Sequence, residues 1–88
     1  IMKTCARGID LVEVFAAKGS RIALSDAGVG ATLLKSAMQG ASLNVYINTK
    51  SMKDRKRAEE LNQLADSLRE EYEAKADRIF AEVSSRIR

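Results

Sequence analysis

SDAGVGATLLKSAMQGASLNVYIN, running from Ser25 to Asn48, is the stretch on which the fold turns. Ser25 can cap the amides of a following turn, Asp26 puts negative charge at the positive end of a helix dipole, and an apolar run begins at once. The stretch therefore predicts a helix that starts at Ser25. Within it Gly30, Ala37, Ala41, Asn44 and Asn48 share one face by the three-to-four-residue repeat of a helix. That face is nearly flat and admits another backbone at close range. Leu33, Leu34, Met38, Leu43, Val45 and Ile47 spread around much of the remaining circumference, which predicts a central helix buried on most sides.

Toward the N-terminus, Met2, Cys5, Ala6, Ile9, Val12, Phe15 and Ala16 fall at helical spacing with Lys3, Arg7, Asp10, Glu13 and Lys18 between them, so Met2 to Lys18 reads as a first helix. Gly8 interrupts it at a cost of about 1 kcal/mol relative to alanine, and close packing is the reason to accept that cost. Gly19 suits a left-handed C-cap, Gly19 to Arg21 make a short exit, and Ile22 to Leu24 link to the central helix. Cys5 on the apolar face reads as a small core residue without chemistry.

Toward the C-terminus, the apolar pattern stops where Asn48, Thr49 and Ser51 collect. Ser51 with Asp54 three residues on resembles a capping box, placing the start of a third helix at Met52. From there Ala58, Leu61, Ala65, Leu68, Tyr72, Ala76, Ile79 and Val83 recur as the seam of a coiled-coil-like helix, with Glu71–Lys75 and Glu82–Arg86 as i,i+4 pairs on its solvated side. A helix of about 35 residues extends roughly 50 Å, twice the reach of the first helix, so part of its seam is left bare. A bare seam calls for a second copy or for a further segment of the same protein.

Composition agrees with an all-α class of three helices, short, central buried and long C-terminal. The chain has 88 residues, no proline or tryptophan, and 45% hydrophobic content dominated by small and aliphatic types. Fifteen basic against twelve acidic side chains give a formal charge of +3, too small to imply nucleic-acid binding. A single cysteine excludes an internal disulfide, and the lack of histidine excludes Ser-His and Cys-His nucleophile pairs and His-based zinc sites within the chain. No apolar run approaches the roughly 20 residues that span a bilayer, and the first residues lack signal-peptide character, so the expectation is a soluble cytoplasmic protein with no membrane partner. Ile1 rather than methionine opens the chain and the apolar pattern starts without a cap, which suggests a piece of something longer.

The combination of Ser25-Asp26-Ala27-Gly28-Val29, Gly40-Ala41-Ser42-Leu43-Asn44-Val45-Tyr46-Ile47-Asn48 and Lys50-Ser51-Met52-Lys53-Asp54 resembles the C-terminal half of the formiminotetrahydrofolate cyclodeaminase family, which is also similar to bacterial methenyltetrahydrofolate cyclohydrolases. The resemblance covers essentially the whole chain, so that residues 1–88 read as the C-terminal part of a cyclodeaminase-like helical domain. It implies an all-helical domain about twice this long, dimeric or of higher order, with its folate site at the subunit interface. The proline- and glycine-rich start of that domain has no counterpart here, and Gly19 to Leu24 departs from the asparagine-containing segment expected before the Ser-Asp pair.

The implied activity is a folate conversion: ring closure of formiminotetrahydrofolate to 5,10-methenyltetrahydrofolate with release of ammonia, or the related hydrolysis between methenyl and formyl forms. Such chemistry calls for positioning and a proton donor, and no metal or redox cofactor beyond the tetrahydrofolate substrate is expected. Asp26 is the candidate for catalysis, with Ser25, Asn44, Asn48, Lys50 and Lys53 as candidates for substrate binding. The missing N-terminal half and a second subunit would complete the enzyme, the fragment alone being inactive.

Each candidate has a structural reading beside the functional one. Asp26 also serves as a helix-terminus charge, and Asn44 and Asn48 also serve to tie neighbouring helices together if buried. The basic group Lys50, Lys53, Arg55, Lys56 and Arg57 is either a solvated turn or, given the resemblance, an attractor for the polyglutamate tail of folate. The alternative for the whole chain is a non-catalytic helical oligomerisation module.

Overall fold

Helix α1 spans Met2–Lys18, α2 spans Arg21–Lys50 and α3 spans Arg55–Ile87. The computed structural model describes residues 1–18 and 21–88, and at Phe15, Lys18, Arg21 and Ile22 the description covers the backbone alone. Among the described residues there is no strand, in keeping with the all-α class. The expected C-cap at Gly19 lies outside the described residues.

The chain runs up, down and up again. Thr49 pairs with Asn62, Tyr46 with Asp66 and Lys35 with Asp77, so α2 and α3 are antiparallel along their length. On the other side Gly8 packs against Leu34 and Val12 against Gly30, which makes α1 antiparallel to α2. Asp10 then meets Lys75, and the carbonyl of Ala16 meets Arg86, so α1 lies in the α2–α3 groove parallel to α3. The molecule is 51 Å long, the length of α3 itself, whereas α1 at about 25 Å covers half of the groove.

Packing follows the faces read from the sequence. Met2, Cys5, Ala6, Ile9 and Ala16 bury the inner face of α1, and Ala65, Ala76, Ile79 and Val83 bury that of α3. So much of this core is alanine that the backbones approach closely. A Cβ on Gly8 would stand 3.0 Å from both methyls of Leu34, which gives that glycine the packing role expected of it.

Three boundaries and contacts differ from the sequence reading. First, α2 begins at Arg21, so Ile22 to Leu24 are helix rather than link, and Ser25 and Asp26 sit inside the helix instead of capping it. Leu24 is buried in line with Ala27 and Ala31, and that packing outweighs the capping preference of Ser25. Second, α3 begins at Arg55 and its N-cap is Asp54, whose carboxylate accepts the Arg57 amide at 3.1 Å. Ser51 instead donates to the Asn48 carbonyl at the end of α2. Third, Lys75 turns to Asp10 and Glu13 of α1 rather than to Glu71, while Glu82–Arg86 forms at 3.9 Å.

Nor is α2 buried on most sides. Val29, Leu33, Leu43 and Ile47 are exposed, as are Leu11, Val14, Leu64 and Phe80 on the other helices and Ile1 just ahead of α1. With three helices only one side of each can be covered, and among the described residues the large apolar side chains left outside outnumber those inside.

Candidate functional site

The half of the α2–α3 groove that α1 does not cover holds an open cavity of about 380 Å³. Its floor is Ala41, Val45, Ala65 and Leu68, with Leu61 and Leu64 on the α3 wall. Asn44 and Asn48 line the α2 wall one helical turn apart, and Ile1, Met2 and Lys3 close the end where α1 begins. Both asparagines are exposed, and neither side chain has a hydrogen-bond partner among the described residues, so they do not tie helices together. Two free amides above an apolar floor can hold a flat heterocycle, its faces on aliphatic side chains and its polar edge on the amides.

The turn beside the cavity is built by the basic residues. Arg55 donates to the carbonyls of Thr49, Lys50 and Met52 at 2.7, 3.2 and 3.0 Å, capping the end of α2 with the first residue of α3. A cation at a helix C-terminus is stabilised by the dipole there, which offsets its poor placement at the start of α3. Lys50 and Lys53 are exposed at this same turn and have no ion-pair partner among the described residues. The turn is held from behind by Thr49, which donates to Asn62 Oδ1 at 2.6 Å, and by the Tyr46 hydroxyl on Asp66. That bond to Asp66 holds the Tyr46 hydroxyl above the usual phenol range, aided by burial. Tyr46 is thus a fixed donor on the far side of α2.

Ser25 and Asp26 are elsewhere. Along α2 Asp26 is about 27 Å from Asn44 at 1.5 Å per residue. Ser25 borders a shallow depression with Val29, Phe80 and Ser84, and Asp26 lies beside Leu11 and Val12 of α1. A single copy therefore gathers Asn44, Asn48, Lys50 and Lys53 at one end and leaves Ser25 and Asp26 at the other. Sequence reasoning overlooked Lys3 on the cavity rim and the capping role of Arg55. Lys3 could have been placed from the short α1–α2 exit, which sets the helices antiparallel and brings the start of α1 toward Gly40 and Asn44.

Among the described residues no group of three or more Cys, Asp or Glu side chains is placed to hold a metal ion, and no helix is long and apolar enough to cross a membrane.

Comparison with known proteins gives two matches. A family model described as formiminotransferase-cyclodeaminase matches residues 1–67. A methenyltetrahydrofolate cyclohydrolase from Methylorubrum extorquens is 38% identical over 85 residues, covering 97% of this chain and 41% of the relative, so the chain spans under half of that protein's length. No solved structure matches significantly.

Proposed function

The chain belongs to the formiminotransferase-cyclodeaminase family, and from that premise we propose that it is the C-terminal part, residues 1–88, of a folate-converting domain acting in the cytoplasm. The observation that carries the reading is 38% identity to a methenyltetrahydrofolate cyclohydrolase across 97% of the chain. The free amides of Asn44 and Asn48 over an apolar floor support it, because they suit a pterin edge and face.

The reaction we favour is the hydrolysis that the relative's name describes: water adds to the methenyl carbon, a proton is lost, and the five-membered ring opens to a formyl group. The groove residues would hold the ring system and exclude bulk water from one face, and Asp26, too far from the groove within one copy, would accept or return the proton only if a second subunit brought it there. Lys50 and Lys53, free beside the groove, would attract the carboxylates of a polyglutamate tail. The family description keeps a second reaction in view, ring closure of the formimino derivative with loss of ammonia. Both use the same bound ring, and no step of either is routed through a metal.

Partners in this reading are the N-terminal half of the domain and a second subunit. The test is turnover by the protein joined to its upstream half, followed at the methenyl absorbance with methenyl- and formimino-tetrahydrofolate as separate substrates. Hydrolysis of the first supports the cyclohydrolase reading, ammonia from the second supports the cyclodeaminase reading, and turnover of neither leaves the assembly-module reading.

A further inference from the structure

The groove between α2 and α3 carries polar groups of two kinds. Asn44 and Asn48 supply neutral amides from α2, and among the described residues Lys3 is the only charged side chain in the lining. Lys3 is exposed and has no ion-pair partner among the described residues. Lys50 and Lys53 lie outside that lining, at the adjoining turn.

The fold fixes where Lys3 stands. Two turns further along α1, Asp10 is held by Lys75 and Tyr72 of α3. Seven residues return almost to the same face of a helix, so Lys3 shares the side of α1 that Asp10 turns toward α3. The two helices run parallel, which sets Lys3 at the level of Leu64 and Leu68, both in the lining. Glu71, seven residues on from Leu64, is the acid on that face of α3; it is exposed and makes no ion pair among the described residues. The ammonium of Lys3 is therefore held across the groove from the amides, beside leucine and without a counter-ion.

We propose that Lys3 is a specificity-determining residue of the groove, binding a carboxylate on a flat ligand whose neutral hydrogen-bonding edge lies on Asn44 and Asn48. Each asparagine amide both donates and accepts, which suits an uncharged heterocycle edge, whereas an ammonium only donates and suits an anion. A carboxylate brought over the leucines without a cation would lose hydration with nothing in return. The same ammonium repels a cationic substituent, so it selects ligands by the sign of their charge. The ring in this assignment rests on the folate reading, and the carboxylate contact is what it adds.

The test is fluorescence titration of the intact protein with two pterins, pterin-6-carboxylate and 6-hydroxymethylpterin, which share the ring and differ in the charge of one substituent. The carboxylate is expected to bind about fivefold more tightly at low salt, the reach of one exposed charge pair, and the preference to shrink as salt rises. Lys3→Met should abolish the preference by weakening the carboxylate alone, Lys3→Arg should keep it, and Asn44→Leu should weaken both ligands alike. Lys3 is exposed, so its variants are expected to fold, which the unfolding temperature checks. Equal affinity for the two pterins in the unsubstituted protein, or a preference that survives Lys3→Met, would overturn the Lys3 contact and leave the ring reading standing. Binding of neither pterin, as when another segment fills the groove, would overturn both.

Discussion

Lys75 of α3 donates to the carboxylate of Asp10 of α1 across a sequence separation of 65 residues, and Tyr72 donates to the other oxygen of that carboxylate at 3.2 Å. The Lys75 ammonium also sits 5.6 Å from the centre of the Tyr72 ring and 3.3 Å from Glu13. This cluster fastens the short helix to the long one where the core is mostly alanine.

The Lys75 bond holds the Asp10 carboxyl below its ordinary value of 3.8, and the Asp10 bond holds the Lys75 ammonium above its ordinary 10.5. A depressed acid contributes stability above its ordinary value and loses it as the pH falls through the lower folded value. A raised base contributes fully below its ordinary value and loses that as the pH rises through the folded one. Thermal stability is therefore expected to be level between these limits and to fall below about pH 4 and above about pH 10. Lys75→Met should flatten the alkaline limb and cost up to about 1 kcal/mol, since the Asp10 side chain is nearly half exposed.

Two glycines of α2 should respond oppositely to alanine. At Gly28 a Cβ would stand 3.1 Å from Cγ1 of buried Val83, whose branched side chain has little freedom to turn. Gly28→Ala should destabilise by about 1 kcal/mol or more. Gly40→Ala meets nothing and should stabilise by roughly 0.5 to 1 kcal/mol through helix propensity. Thermal unfolding of the two variants at low protein concentration checks the pair.

Arg55→Ala should release the last carbonyls of α2 and cost about 1 kcal/mol, with Asp54→Ala costing a similar amount by removing the cap of α3. Amide exchange should quicken at the turn around Lys50 to Asp54 in both variants. Unchanged exchange in Arg55→Ala would show that its three bonds contribute nothing in solution.

Asn44→Leu and Asn48→Leu, in the protein joined to its upstream half, should each lower kcat/KM about tenfold, the value of one lost hydrogen bond to substrate. Stability should stay the same, because both side chains are exposed. Wild-type turnover in the double variant would remove the groove from the site.

Lys50→Glu with Lys53→Glu should weaken binding of polyglutamylated folate at low salt and leave the monoglutamate unaffected. Equal binding of both ligands by the unsubstituted protein would exclude the tail contact.

The sequence by itself determined three helices and their inner faces, because burying apolar residues at helical spacing is a local property of the chain. Met2 to Ala16 and Ala58 to Val83 therefore lie as their periodicity requires. It also carried the family, through Ser25 to Val29 and Gly40 to Asp54, and it placed Asn44 and Asn48 on a common wall. Where two local preferences competed, tertiary packing decided: buried Leu24 drew α2 back to Arg21 past the apparent cap at Ser25, and Arg55 reached back to the end of α2, leaving Asp54 to cap α3. Lys75 chose Asp10 over Glu71 for the same reason, since only the fold knows what lies across from a side chain. Periodicity marks which residues are apolar but not which neighbours exist, so only the tertiary structure revealed that the outer face of α2 is bare and that Asp26 stands a helix length from the amides.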